Sequence, residues 1–388
     1  MNLIVFRYVF FHVLGLLLII YYGKKYQDEE QPLWRLSLVP ICFYAIEKGL
    51  RWGRECDWWA YRDGYLDICK GEITNWEPLF YYVCKIFSVL GFDYPFVILL
   101  FTLLFICSVY CLLYYHKYVF ALALPIFIIW LSPLAINSIR WIVAMSFAFI
   151  GIFNLLKSNI YISLLFLSFA LFSHLFCGLL FIPVYMLFFY NRIILQAKYV
   201  IIISIGLVLL SDFSIVKEFT YLLDLFADSD RYGGYVHNAD MWFTVDSNEQ
   251  FQRKSSLLYL FVMIPFYIVL WQSEKISEEC EKFHFLYNVM VINILLRSIS
   301  GGSEIIQRMA TLYDFAFLIL CSYVLYWAWI YRESLLNKIV VVIMCSTFIY
   351  KTYIYIKPYK SDGLMQYYWD NNRIDATKAY NLYEKEKE

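Results

Sequence analysis

Arg51, Arg54, Asp57, Arg62 and Asp63 fall within one short segment, interleaved with Trp52, Trp58, Trp59 and Tyr61. Guanidinium forks hold phosphate or pyrophosphate bidentately, and a carboxylate among them can orient the forks or accept a proton. The aromatic faces of Trp58, Trp59 and, further on, Trp76 suit stacking on a sugar ring. The plainer alternative is a solvated, ion-paired helical turn, because Arg51 and Glu55 stand four apart and Arg54 and Asp57 three apart. Glu77 precedes Pro78, so it either does chemistry or simply faces the positive end of a helix dipole.

Three further residues sit where ionisable groups are costly. Arg140 enters an apolar span by about one turn, which calls for a counter-charge, a wet cavity or snorkelling to the interface. His174, between Ser173 and Leu175, interrupts a long apolar run, and imidazole moves protons near neutral pH. A lone histidine there also serves as an ordinary hydrogen-bonded packing residue. Arg308, close to Tyr313 and Asp314, repeats the pattern of a basic residue near a helix end, with pairing to Glu304 as the bland reading. Arg231 lies in the flexible aromatic stretch Asp228–Tyr235, suited to a lid or an acceptor-binding loop.

The elements that must position these groups are helices in a membrane. The 388 residues are 62% hydrophobic and 16% charged, with a mean hydropathy of +0.59, a composition foreign to soluble domains. A net charge of zero gives no support to nucleic-acid binding. Apolar runs at 3–22, 33–49, 95–115, 118–135, 138–156, 160–190, 199–211, 257–271, 283–300, 305–330 and 338–356 predict an all-α polytopic protein. Splitting 160–190 near Ser173-His174 brings the total to about twelve transmembrane helices. Pro78 suits a first turn and Gly91 a stop, so residues 77–91 predict an amphipathic interfacial helix. Tyr81, Lys85 and Ser88 should share its polar face, opposite Leu79, Val83, Ile86 and Leu90.

Short loops bearing Lys24, Lys25, Lys117, Lys157, Lys198, Lys275 and Lys338 mark one side as cytoplasmic. The other side then receives both termini, the His174 break and two larger loops, 50–76 and 212–256. One membrane domain, 1–388, with a polar tail from about 357 whose end is poorly ordered, is the economical organisation. The ten cysteines include no Cys-x-x-Cys pair, so no metal and no cofactor are expected; Cys56 and Cys69 share the charged loop, where an oxidising compartment would let them pair. Gly-x-x-x-x-Gly-Lys-Ser, His-Glu-x-x-His and Gly-x-Ser-x-Gly are absent, which withholds support from ATP-driven transport, zinc proteolysis and elbow-type serine hydrolysis.

Arg51 to Tyr61 with its Asp, Glu77-Pro78-Leu79-Phe80 opening a helix, Arg140 opening a span, Ser173-His174, and Arg308-Met309 with Tyr313 follow in an order that resembles the EpsG family of Wzy-like polysaccharide polymerases. Family members often carry Gln after the helix-opening Arg, where this chain has Trp141. The resemblance implies a multi-pass bacterial inner-membrane enzyme whose active face is periplasmic. It would join undecaprenyl-diphosphate-linked oligosaccharide repeats into O-antigen or another surface polysaccharide. Its implied partners are that lipid-linked oligosaccharide, membrane lipid and a candidate chain-length regulator protein. Arg54, Arg140 and Arg308 are then expected to contact the diphosphate, with Arg51, Arg62 and Arg231 as further substrate contacts. His174, Asp57 or Glu77 would accept the proton. A lipid-linked oligosaccharide flippase would instead need ionisable groups near mid-span on several helices, and a glycan ligase or membrane acyltransferase could use a similar outward polar site.

Overall fold

The computed structural model describes residues 3–29, 32–190, 192–210, 256–300, 304–356 and 365–387. The expected loop 212–256, with Arg231, lies outside them except for Ser256, which opens a helix. The described residues are helical apart from connecting turns and one two-stranded ribbon. Among the described residues, five helices are long and apolar enough to cross a membrane on their own: Ile4–Asp28, Tyr94–Leu113, Lys117–Asn137, Ile139–Leu156 and Leu335–Ile356. Six further apolar helices are shorter, among them Ile160–Ser173, Ala197–Leu210 and Phe283–Ile299.

The chain packs as two units, Met1–Leu179 with Cys345–Glu388, and Leu180–Met344. In the first, α1 (Leu3–Asp28) packs on α2 (Leu33–Gly49) and α6 (Phe120–Asn137). The helix α5 (Tyr94–Leu113) packs on α2 and on α7 (Ile139–Leu156), and α7 on α8 (Ile160–Ser173). In the second, the helix Phe283–Ile299 packs on Ala197–Leu210, Glu304–Thr311 and Asp314–Ile330. There, Arg297 donates to both carboxylate oxygens of buried Asp314, at 2.6 and 2.8 Å, and Asn293 donates to the same group at 2.7 Å. An arginine and an aspartate inside apolar helices thus neutralise one another.

Segment 50–76 is not a solvated loop. Arg51–Trp52 forms β1, which pairs antiparallel with β2 (Gln366–Tyr367), and Cys56–Lys70 forms the helix α3. Residues 53–55 turn sharply, with positive φ at Gly53 and Glu55, so Arg51 to Asp57 is not one continuous helical turn. Gly53 is required twice over, by its φ of +63° and because a Cβ there would meet the ring of Trp59. Cys56 and Cys69 occupy opposite ends of α3, thirteen residues (69 − 56) and roughly 20 Å apart, too far for a disulfide.

Residues 77–91 do form a helix, α4 (Pro78–Val89), with Pro78 in its first turn and Gly91 at φ +74° just after it. Its buried stripe is Phe80 and Cys84, while Tyr82, Ile86, Val89 and Leu90 point outward. The exposed side is therefore more apolar than the sequence pattern suggested, as contact with lipid requires.

In the polar tail a helix runs from Ala376 to Lys387. Trp52 Nε1 donates to the Ile374 carbonyl, and Arg7 grips Asp370 with two hydrogen bonds of 2.7 and 2.6 Å. Partial burial pushes the Asp370 carboxyl up, but hydrogen bonds from Arg7 and the Tyr367 N–H outweigh it and hold the group below its ordinary value. This depressed value gives stability that is fully present above the unfolded carboxylate value, about 4, and is lost as pH falls through the folded one. Thermal unfolding in detergent should show Asp370→Asn below wild type at pH 7, with the gap closing under strong acid. A gap that stays constant down to the acid limit would contradict the pairing.

Candidate functional site

Arg140 is the second residue of α7, just past a break at Ser138 that separates it from α6. Its side chain is 26% exposed, and two groups from elsewhere in the first unit hold it. Arg140 Nη1 donates to Glu77 Oε2 at 2.8 Å, and Arg140 Nε donates to the Tyr61 hydroxyl at 3.2 Å. Glu77 stands at the N-cap of α4 but makes no side-chain cap there. Its carboxylate, 3% exposed, turns to the guanidinium instead.

Aromatic rings fix this pair from the side. The Tyr61 ring lies 5.9 Å from Trp76 and 5.8 Å from Phe80, and Trp76 lies edge-on to Phe80 at 5.1 Å. The close seat of Trp76 depends on Gly64 of α3, where any Cβ would run into the indole. Asp57 precedes Tyr61 by four residues on α3, hence on the same helix face.

His174 is extended, with φ −161° and ψ 106°, between α8 and α9 (Leu175–Leu180). That break is the one expected from Ser173-His174, and α10 (Ile182–Phe188) follows. The half-buried imidazole stands edge-on to Trp141 at 5.0 Å and lies within electrostatic reach of Glu77 and Arg140. The Cys177 N–H points at His174 Nδ1 at 3.4 Å. In the neutral ring that arrangement assigns the remaining proton to Nε2, so His174 offers a donor there and not a base. Two buried polar atoms flank Arg140 in sequence without hydrogen-bond partners, Asn137 Oδ1 and Trp141 Nε1. One accepts and the other donates, the complement of a sugar hydroxyl.

The other expected site residues take different places. Arg51, 1% exposed, donates to the Lys48 carbonyl at 2.5 Å and the Ile136 carbonyl at 2.8 Å, tying the end of α2 to the end of α6. Arg54, 0% exposed, lies 4.1 Å over the Tyr8 ring and 5.6 Å from that of Tyr367. Both are held inside the fold, so neither presents a fork to phosphate. Trp58 and Trp59 are fully buried, 4.8 Å apart, with no face left for a sugar. Arg62 is partly exposed over Trp52 and Trp59 and lies 3.8 Å from Asp63. Arg308 lies half-buried in the helix Glu304–Thr311 of the second unit, and the Glu304 side chain lies outside the described atoms.

A model of the EpsG family matches residues 34–368, which takes in every element of this constellation. The chain belongs to the EpsG family. No curated protein and no solved structure gives a match. Family membership makes this EpsG-family chain a membrane protein related to the Wzy-like polymerases of exopolysaccharide synthesis.

The partner of Arg140 was half visible in sequence. Glu77 was marked by its place before Pro78, whereas Tyr61 stands 79 residues away with no local pattern to point to it. Removing one partner should leave the other charge stranded in a poor dielectric, at about 3 kcal/mol. Glu77→Ala and Arg140→Ala should each lower thermal stability in detergent, and the double variant should lose less than their sum. Strict additivity would show that the pair does not interact.

Proposed function

We propose that this EpsG-family protein polymerises lipid-diphosphate-linked oligosaccharide repeats by glycosyl transfer, with Arg140 at the reacting centre. The observation that carries the reading is Arg140 itself, a partly exposed guanidinium anchored by Glu77 and Tyr61 beside His174 and the face of Trp76. A hydroxyl of the acceptor sugar attacks the anomeric carbon of the donor. The bond from that carbon to the diphosphate breaks, the leaving group takes the electron pair, and the hydroxyl proton passes to a carboxylate. Asp57 or Glu77 serves as that acceptor, and neutral His174 donates a hydrogen bond from Nε2 to the leaving oxygen without giving up its proton. Arg140 stabilises the growing negative charge without reorganising, and Glu77 and Tyr61 hold it still. Trp76 stacks on a sugar, while Asn137 and Trp141 meet sugar hydroxyls.

This reading places the enzyme in a bacterial inner membrane, facing the periplasm, with an undecaprenyl diphosphate carrier and O-antigen or a similar glycan as product. A flippase is less well supported, because Arg140 and its partners Glu77 and Tyr61 lie at the first turn of α7 and not at its middle. Arg140→Lys keeps the charge but loses the fork. In cells it should cut long-chain glycan by about 10²-fold or more while single repeats still reach the surface and membrane abundance holds. His174→Gln should also fall. Normal ladders from both variants would remove these residues from the reaction, and loss of all attached glycan would point to export or ligation.

A further inference from the structure

The first unit contains a cavity of about 630 Å³, within the range of ligand pockets. It opens beside Phe153, thirteen residues (153 − 140) along α7 from Arg140, hence roughly 20 Å away. Its walls are the start of α2 at Leu33, Trp34 and Ile41, the end of α5 at Cys107 and Cys111, and Tyr26 of α1. These surfaces are apolar and suit a hydrocarbon chain. Tyr110 also lines the cavity, only 5% exposed, and its hydroxyl has no hydrogen-bond partner. A buried hydroxyl left in that state favours any ligand that brings an acceptor.

The rim is cationic. Lys117 lines the cavity, donates to the neutral carbonyl of Glu29 at 3.1 Å and stands over the Tyr26 ring at 5.2 Å. Lys157 stands over Phe153 at 4.3 Å. The nearby carboxylates already have partners, since Asp28 pairs with Lys24 at 3.0 Å and Glu29 with Lys25 at 3.7 Å. An apolar trough with an unmet donor and two lysines at its edge selects a molecule with an oily chain and an anionic head.

We propose that this cavity binds an anionic glycerophospholipid, with an acyl chain along α2 and α5 and its phosphate at Lys117. The Tyr110 hydroxyl donates to a lipid oxygen. Phosphatidylcholine fits less well, because its choline would bring a cation to a cationic rim. The proposal stands apart from the chemistry at Arg140.

The test is native mass spectrometry of the full-length protein, purified in detergent and titrated with phosphatidylglycerol or phosphatidylcholine. The wild type should retain phosphatidylglycerol at least about fivefold better, the effect of one lysine at an anionic surface. Lys117→Gln should erase that preference, Tyr110→Phe should weaken retention of both lipids, and Cys111→Phe should block the cavity. Equal retention of the two lipids by wild type, or retention that survives both Lys117→Gln and Cys111→Phe, would mean a nonspecific lipid annulus and overturn the proposal. Displacement of phosphatidylglycerol by an equimolar polyprenyl phosphate would assign the cavity to a carrier lipid and overturn it as well. Because Lys117 and Tyr110 lie at the other end of α7, glycan ladders should be unchanged in Tyr110→Phe.

Discussion

A guanidinium at the mouth of an apolar helix must find a counter-charge, and in this chain Arg140 finds Glu77. That single requirement draws together elements far apart in sequence. It orients the start of α4, because the Glu77 carboxylate forgoes its own helix cap. It brings α3 alongside, because Tyr61 supplies the second acceptor. The fork that remains partly open to solvent is then held in place before any ligand arrives, which is the condition for electrostatic stabilisation of a leaving anion.

The same constraint operates deeper in the unit with a different result. Lys48 is buried and donates to Glu47 at 2.5 Å and to Tyr355 at 3.0 Å, with His12 Nδ1 at 3.1 Å. Arg51 and Arg54 belong to this interior too, one on backbone carbonyls and the other over aromatic rings. These charges join α1, α2, the last long helix and the chain's C-terminal ribbon. They explain why the tail returns to cover β1: Tyr367 and Met365 seal, with Trp58 and Tyr8, a core that would otherwise open onto buried arginine. Their role is to hold the floor on which α3 and α4 stand.

Much of this was legible in sequence. Hydropathy set the helical class, Pro78 and Gly91 bounded α4, and Ser173-His174 marked a true break. Arg140 and Glu77 stood out because a charge inside an apolar run, or a carboxylate just before a helix, has few cheap explanations. What local pattern could not show is which way residues 51–59 face. Charge and tryptophan at that density look like a binding loop, but a residue type does not reveal which way its side chain faces. Arg51, Arg54, Trp58 and Trp59 turn inward because a segment 314 residues later (365 − 51) supplies the other wall. No local pattern encodes a contact at that separation. The same holds for the tail, whose polar composition hides Met365, Tyr367 and Ile374, which are buried in one core with Tyr8 and Trp58.

The central claim is that the residues around Arg140 drive glycosidic bond formation at the expense of a lipid diphosphate. The most direct measurement uses the purified protein in liposomes with a lipid-diphosphate-linked repeat unit and no nucleotide. Chain extension and free lipid diphosphate are followed together. The account predicts one diphosphate released for each linkage made, and neither signal from Arg140→Lys. Movement of the repeat unit across the bilayer with no linkage formed, or undiminished extension by Arg140→Lys, would contradict it.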